Sequence, residues 1–169
     1  MPFNIPLPQS RVLASLIVAG LFLLSSCGPD YIQDSRKDIA EAGWTYADQA
    51  SFSFQVEDTT KVYNLWLEVG HTRSYARQNL YTRIQTVFPD GHKLSEVVSL
   101  ELANKGGEWL GQCNAQDCLL RVPLQMDTYF NQPGKYTLGL EQYMRQDSLK
   151  GILSLRFMVE NTGKNRQSF

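Results

Sequence analysis

From Phe52 to Val159 the chain repeatedly alternates apolar and polar residues with a period of two, and nowhere leaves a stretch long enough for a crossover helix. In an extended strand successive side chains point to opposite faces, so this period places one face on a core and the other in solvent. The runs are Phe52/Phe54/Val56, Leu65/Leu67/Val69, Leu80/Thr82/Ile84/Thr86/Phe88, Val98/Leu100/Leu102, Trp109-Leu110, Leu119-Leu120-Arg121-Val122, Tyr136/Leu138/Leu140 and Ile152 to Val159. Turn signals separate them: Pro89-Asp90-Gly91 and Pro133-Gly134 each pair a preset φ with a glycine free to turn. About eight strands spaced roughly 10–15 residues apart, without helices to cross between parallel strands, predict an all-β antiparallel β-sandwich, jelly-roll-like in layout. Residues 125–132 and 143–150 are expected to be irregular, and Trp66 is expected to be buried by its neighbours.

The first 26 residues are of another kind. They carry a single charged side chain, Arg11, followed by the uncharged run Val12–Leu24, which is short for the ~30 Å of hydrocarbon in a bilayer. It has the length of a signal-peptide hydrophobic region. Leu24-Ser25-Ser26-Cys27 then resembles a bacterial lipobox, in which the cysteine thiol takes a diacylglyceryl group, the peptidase cuts before it, and the new amine is acylated, for instance with palmitate. Two or three acyl chains hold a protein on a membrane far better than one, at about 0.8 kcal/mol per buried methylene. The expected organisation is therefore a lipoprotein signal peptide at 1–26, a lipid-anchored polar tether at 27–43 with room for a helical turn around Ser35–Ala42, a β-sandwich at 44–160 and a polar tail at 161–169. Gly28 rather than an acid follows Cys27, which favours the outer membrane, facing either the periplasm or the exterior.

Charge and motif content narrow the chemistry. Sixteen basic against seventeen acidic residues give a net charge of −1, so no basic surplus exists to track a phosphate backbone, and no nucleic-acid partner is expected. Cys113 and Cys118 flank a four-residue loop between two expected strands, at reach for a disulfide in an exported protein; free thiols are the alternative. With no histidine or further cysteine beside them they lack the ligands zinc requires. His71 and His92, the two histidines, stand in no spacing with a nucleophile or with carboxylates, and His92 follows a turn. No catalytic residue, metal site, cofactor or small-molecule substrate is therefore expected; a hydrolytic triad gathered from distant residues is the remaining enzymatic reading. Trp44, Trp66 and Trp109 read either as core residues or, if exposed, as a glycan-stacking platform, the alternative function being a surface glycan-binding lipoprotein.

Several short motifs occur in a particular order: Ser74-Tyr75-Ala76-Arg77-Gln78-Asn79-Leu80-Tyr81, Phe88-Pro89-Asp90-Gly91, Gly107-Glu108-Trp109-Leu110-Gly111, Pro133-Gly134-Lys135-Tyr136, Gln142-Tyr143-Met144-Arg145 and Leu149-Lys150-Gly151-Ile152. In this order, over roughly residues 44–160, the chain resembles the GldH family of gliding motility lipoproteins of Bacteroidota. Where that family carries a glycine-rich turn after Trp-Leu-Gly, this chain has the Cys113–Cys118 loop. The resemblance implies a non-enzymatic envelope lipoprotein, an accessory or assembly factor for gliding motility and type IX secretion, whose partners are other envelope proteins of that machinery. On the residues themselves, Asn79, Tyr81, Trp109, Tyr143, Met144 and Arg145 offer the mixture of aromatic, methionine and arginine that suits a partner interface; packing and solvated-turn roles are the alternative for several of them.

Overall fold

A computed structural model describes residues 28–166, and among them it contains strands and turns but no helix. Eleven strands form: β1 (Asp30–Asp38), β2 (Trp44–Thr45), β3 (Ala50–Val56), β4 (Lys61–Thr72), β5 (Asn79–Val87), β6 (Lys93–Glu101), β7 (Gln112–Cys113), β8 (Asp117–Thr128), β9 (Gly134–Gln142), β10 (Ser148–Leu149) and β11 (Ile152–Asn165). β2, β7 and β10 are two-residue pieces. The eight longer strands pair antiparallel in a nested way: β5 with β6, β4 with β8, β3 with β9, and β1 with β11. This is one long multistrand hairpin, and further pairing of β11 with β4 and of β5 with β9 rolls it into two sheets. Their orders are β1-β11-β4-β8-β7 and β3-β9-β5-β6. The jelly-roll expectation is met.

The period-two pattern explains the packing. Phe52, Phe54 and Val56 of β3 and Tyr136, Leu138 and Leu140 of β9 turn inward from the smaller sheet, facing Leu65, Leu67 and Val69 of β4 and Leu155, Phe157 and Val159 of β11; all are buried. Phe157 meets Phe52 and Phe54 at ring-centroid distances of 5.8 and 5.7 Å, while Phe54 stacks on Tyr136 at 5.5 Å. Aromatic pairs at such separations stabilise by about 0.5–1.5 kcal/mol beyond the area they bury.

Several sequence expectations need correction. The tether segment 27–43 contains a full edge strand, β1, and neither a free linker nor a helical turn over Ser35–Ala42. The expected tail at 161–169 begins with the end of β11, which runs to Asn165. Residues 125–132 are largely strand, because β8 continues to Thr128, and 143–150 contains β10. Trp109-Leu110 is no strand; Trp109 makes only an isolated bridge to Ala103. Trp66 lies on the outer face of the larger sheet rather than in the core, its Nε1 donating to Glu160 Oε2 at 2.7 Å while the Arg121 guanidinium covers the ring at 4.5 Å. Cys27 lies outside the described residues.

β1 carries no strongly apolar face, so polar bonds add to its backbone ladder. Arg156 on β11 grips Asp34 bidentately, Nε and Nη2 each 2.6 Å from a carboxylate oxygen, and also stands 3.8 Å from Glu68 of β4. The hydrogen bonds from Arg156 hold the Asp34 carboxyl below its ordinary value of 3.8, against a smaller opposing effect of burial.

Because the folded-state value is depressed, the Asp34 contribution is complete above pH 3.8 and is lost as pH falls through the lower folded value. Asp34→Asn is expected to destabilise the domain by about 0.5–1 kcal/mol near neutrality, as befits a partly exposed pair. Urea midpoints of variant and parent should converge on acidification, and amide exchange should rise across β1.

Candidate functional site

The strand register gives the molecule two ends. Asp30, Asn161, Tyr63 and Thr128 align across the larger sheet where β1 begins, and Gln132 reaches Asp90 in the β5–β6 turn at that same end. The far end gathers Thr72, Gln116 and Gly151, tied by Thr72 N to Gly151 O at 2.8 Å and Arg73 N to Gln116 O at 2.8 Å. From Tyr63 to Thr72 along β4 is nine residue steps, roughly 30 Å.

A cleft of about 510 Å³ opens at this far end on the outer side of the smaller sheet. Arg77, Asn79 and Tyr81 approach it from the start of β5, and Tyr143, Met144 and Arg145 from the loop after β9. The loop is templated by one buried polar side chain. Gln142, 1 % exposed, points in from the end of β9 and accepts from Met144 N at 2.9 Å while its amide donates to Gln146 O at 2.8 Å. Tyr143 N donates to Tyr81 O at 2.8 Å and Tyr81 N to the Met144 sulfur at 3.2 Å, joining loop to strand, and the Tyr46 hydroxyl donates to Met144 O.

Held in this way, Tyr81 and Tyr143 remain 45 % and 47 % exposed. These half-exposed rings have little conformational freedom left to lose on binding. Arg83 lies 4.4 Å from the Tyr143 ring centroid and 3.4 Å from Glu141 Oε2; Glu141 in turn accepts from Gln49 at 3.0 Å. Arg77 and Arg145 are exposed beside the tyrosines, so the cleft has cationic margins.

Five of the six sequence candidates, Asn79, Tyr81, Tyr143, Met144 and Arg145, therefore meet in one cleft. Trp109 does not join them. It packs 4.6 Å from the His71 ring and donates from Nε1 to Arg73 O at 3.2 Å, covering the end of β4. Arg83, Gln142 and Tyr46 escaped the sequence reading. Arg83 shares a strand face with Tyr81 by the period of two, which is the signal that could have found it; Gln142 and Tyr46 act only through contacts distant in sequence.

Beside Trp109 the chain is braced by the Cys113–Cys118 disulfide, which joins β7 to β8. Asn114 builds the turn between them, its Oδ1 accepting from Gln116 N and Asp117 N, each at 2.7 Å. Gly111 is required before it: φ is +85° and a Cβ would stand 2.3 Å from Leu119 O. His71, fully buried beneath Trp109, donates from Nδ1 to Thr72 O at 2.9 Å and has no partner at Nε2. Burial pushes its pKa below 6.5, only partly opposed by the Thr72 carbonyl and Asp117. Among the described residues no group of His, Cys, Asp and Glu is arranged to hold a metal ion.

The model of the GldH lipoprotein family matches residues 31–159, from β1 into β11. The chain belongs to the GldH lipoprotein family. A gliding motility lipoprotein GldH homolog of Christiangramia forsetii is 25% identical over 161 residues, covering 91% of this chain and 98% of the relative. The gliding motility lipoprotein GldH of Flavobacterium johnsoniae is 24% identical over 154 residues, with 87% and 95% covered. Among solved structures, dimeric latent PorU from Porphyromonas gingivalis matches 80% of this chain and 14% of that chain at 10% identity, with a TM-score of 0.26. As a member of a lipoprotein family the chain is a lipid-anchored envelope protein, and among its described residues no helix is long and apolar enough to cross a membrane.

The buried neutral His71 sets a pH dependence for this GldH-family domain. The unfolded chain binds the His71 proton at the ordinary 6.5 and the folded chain only at lower pH, so stability falls as pH drops below 6.5. Urea denaturation between about pH 7.5 and pH 5.5 should show this loss, and His71→Phe should flatten it.

Proposed function

We propose that this GldH-like lipoprotein serves, without catalysis, as an accessory or assembly factor for gliding motility and the associated type IX secretion machinery. In this reading acyl groups on Cys27 hold it at the outer membrane while the far-end cleft docks an envelope protein. The observation that carries the docking role is the arrangement of Tyr81, Tyr143 and Met144 between Arg77 and Arg145, held open by Gln142. Aromatic and arginine side chains fixed at a concave surface are what interface hot spots are made of. The relatives' names supply the process, since both are called gliding motility lipoproteins.

The position of the cleft fits a tethered adaptor. Asp30 is three residues beyond Cys27, which places the start of β1 within ~10 Å of the lipidated residue, and the cleft roughly 30 Å beyond it. A partner bound there would sit clear of the headgroups. The tryptophans do not favour the glycan-platform reading: Trp44 is fully buried, Trp66 lies under Arg121 and Trp109 covers His71.

Deletion is expected to abolish spreading or type IX secretion, and the wild-type chain to restore it. A Tyr143→Ala/Arg145→Glu double variant should stay folded and membrane-bound yet fail to complement, and should lose the envelope proteins that co-purify with the parent. Cys27→Ser should shift the protein out of the outer-membrane fraction. Full secretion and spreading in the deletion strain would defeat the proposal.

A further inference from the structure

A second cavity lies between the two sheets, in the half of the sandwich nearer the start of β1. It encloses about 270 Å³ and is lined chiefly by Leu65, Ile84, Phe88, Val98, Leu124 and Tyr136. It opens on the side of the molecule where β6 and β8 face one another. β6 pairs only with β5, and β7 covers no more of β8 than Cys118 and Leu119. Leu94 and Tyr129, 54 % and 44 % exposed, carry the lining to this open side, with the Arg166 guanidinium 3.9 Å from the Tyr129 ring.

A void of this size with a mainly apolar lining, interrupted by Thr86, Glu96, Gln125 and Thr128, favours an apolar occupant; an apolar cavity near 150 Å³ already admits benzene. Two kinds of occupant fit an apolar slot flanked by free strand edges: an added peptide strand or a hydrocarbon chain. Glu96 decides between them. It alternates with Leu94 and Val98 and so turns from β6 toward the cavity, where it lines the opening. An inward-facing charge on an edge strand works against pairing, and a strand laid along β6 would cover Glu96, for which no lysine, arginine or histidine lines the cavity among the described residues. A hydrocarbon chain entering past Glu96 leaves its carboxylate in water. Glu96 repels a free fatty-acid carboxylate on the β6 side of the mouth, which favours an esterified chain there, whereas Arg166 lies over the Tyr129 ring on the other side.

We propose that this cavity binds one esterified acyl chain of a lipid drawn from the membrane to which the protein is tethered. The membrane source rests on the lipid-anchor reading of Cys27, because that anchor sets this half of the domain next to the bilayer: Thr128, at the cavity wall, aligns through Tyr63 and Asn161 with Asp30.

The test uses the full lipoprotein reconstituted in phosphatidylcholine vesicles containing a phosphatidylcholine with a diazirine on one acyl chain. After photolysis, mass spectrometry should find lipid adducts on peptides spanning 84–98 and 122–130. Val98→Trp and Leu124→Trp, which fill the cavity from opposite walls, should each cut those adducts about tenfold while leaving the β-sheet circular dichroism unchanged. Absence of cavity adducts, or adducts equally abundant in both folded variants, overturns the proposal. So does an intramolecular adduct in the cavity when the diazirine acyl group is instead placed metabolically on Cys27, since the protein's own anchor would then be the occupant. The mass of the N-terminal peptide reports lipidation of Cys27 separately, so failure of the anchor reading is seen independently of the cavity result.

Discussion

The meeting of Phe157 with Phe52 and Phe54 across the gap between the sheets is the contact on which the rest of the structure depends. No helix among the described residues covers either sheet, so the apolar face of each has only the other to bury against. That requirement, applied to eight long strands, brings β3 and β9 over β11 and β4. Where the aromatic packing is dense the two sheets close together. Toward β6 and β8 the sheets leave a cavity between them, walled in part by the rings of Phe54, Phe88, Phe130 and Tyr136. The same packing fixes β5 and β9, whose ends carry the far cleft.

Much of the fold was legible because burial writes itself into a period of two. β3 alternates strictly and the middle of β4 does so too, whereas β9 and β11 also bury residues of the opposite face, Gly139, Ser154 and Met158, so that alternation selects their inward residues without marking the others as buried. β1 was missed for a physical reason. As an edge strand its sides are only half covered, and it is fixed by its backbone ladder to β11 and by the grip of Arg156 on Asp34, neither of which needs an apolar stripe. Trp66 misled for the converse reason: between Leu65 and Leu67 it had to face outward, and a large ring there is shielded by Arg121 rather than by the core.

The cleft shows a similar division. The residue types suited to an interface were visible in the chain, and five of them converge, because Tyr81 on β5 and Tyr143, the first residue after β9, adjoin the paired Thr82 and Gln142. Trp109 has an equally suggestive composition but serves to cover His71. Composition alone does not separate an exposed aromatic from one that seals a strand end; that depends on whether a neighbouring chain segment already occupies its face. Nor does it show Gln142, a polar residue whose burial is meaningful only once the loop it organises is in place.

β1 also determines how the domain would carry force. The chain enters it at Asp30, at the end opposite the cleft, and its register with β11 continues to Asp38. Antiparallel backbone bonds run perpendicular to the strands. A pull applied between the beginning of β1 and the cleft therefore runs along the strand axis, and it loads the rungs of the β1–β11 ladder together in shear instead of peeling them apart one by one. Such a geometry suits a link that is held at one end while its other end is dragged, and here it is provided by the segment whose composition reads as a loose tether.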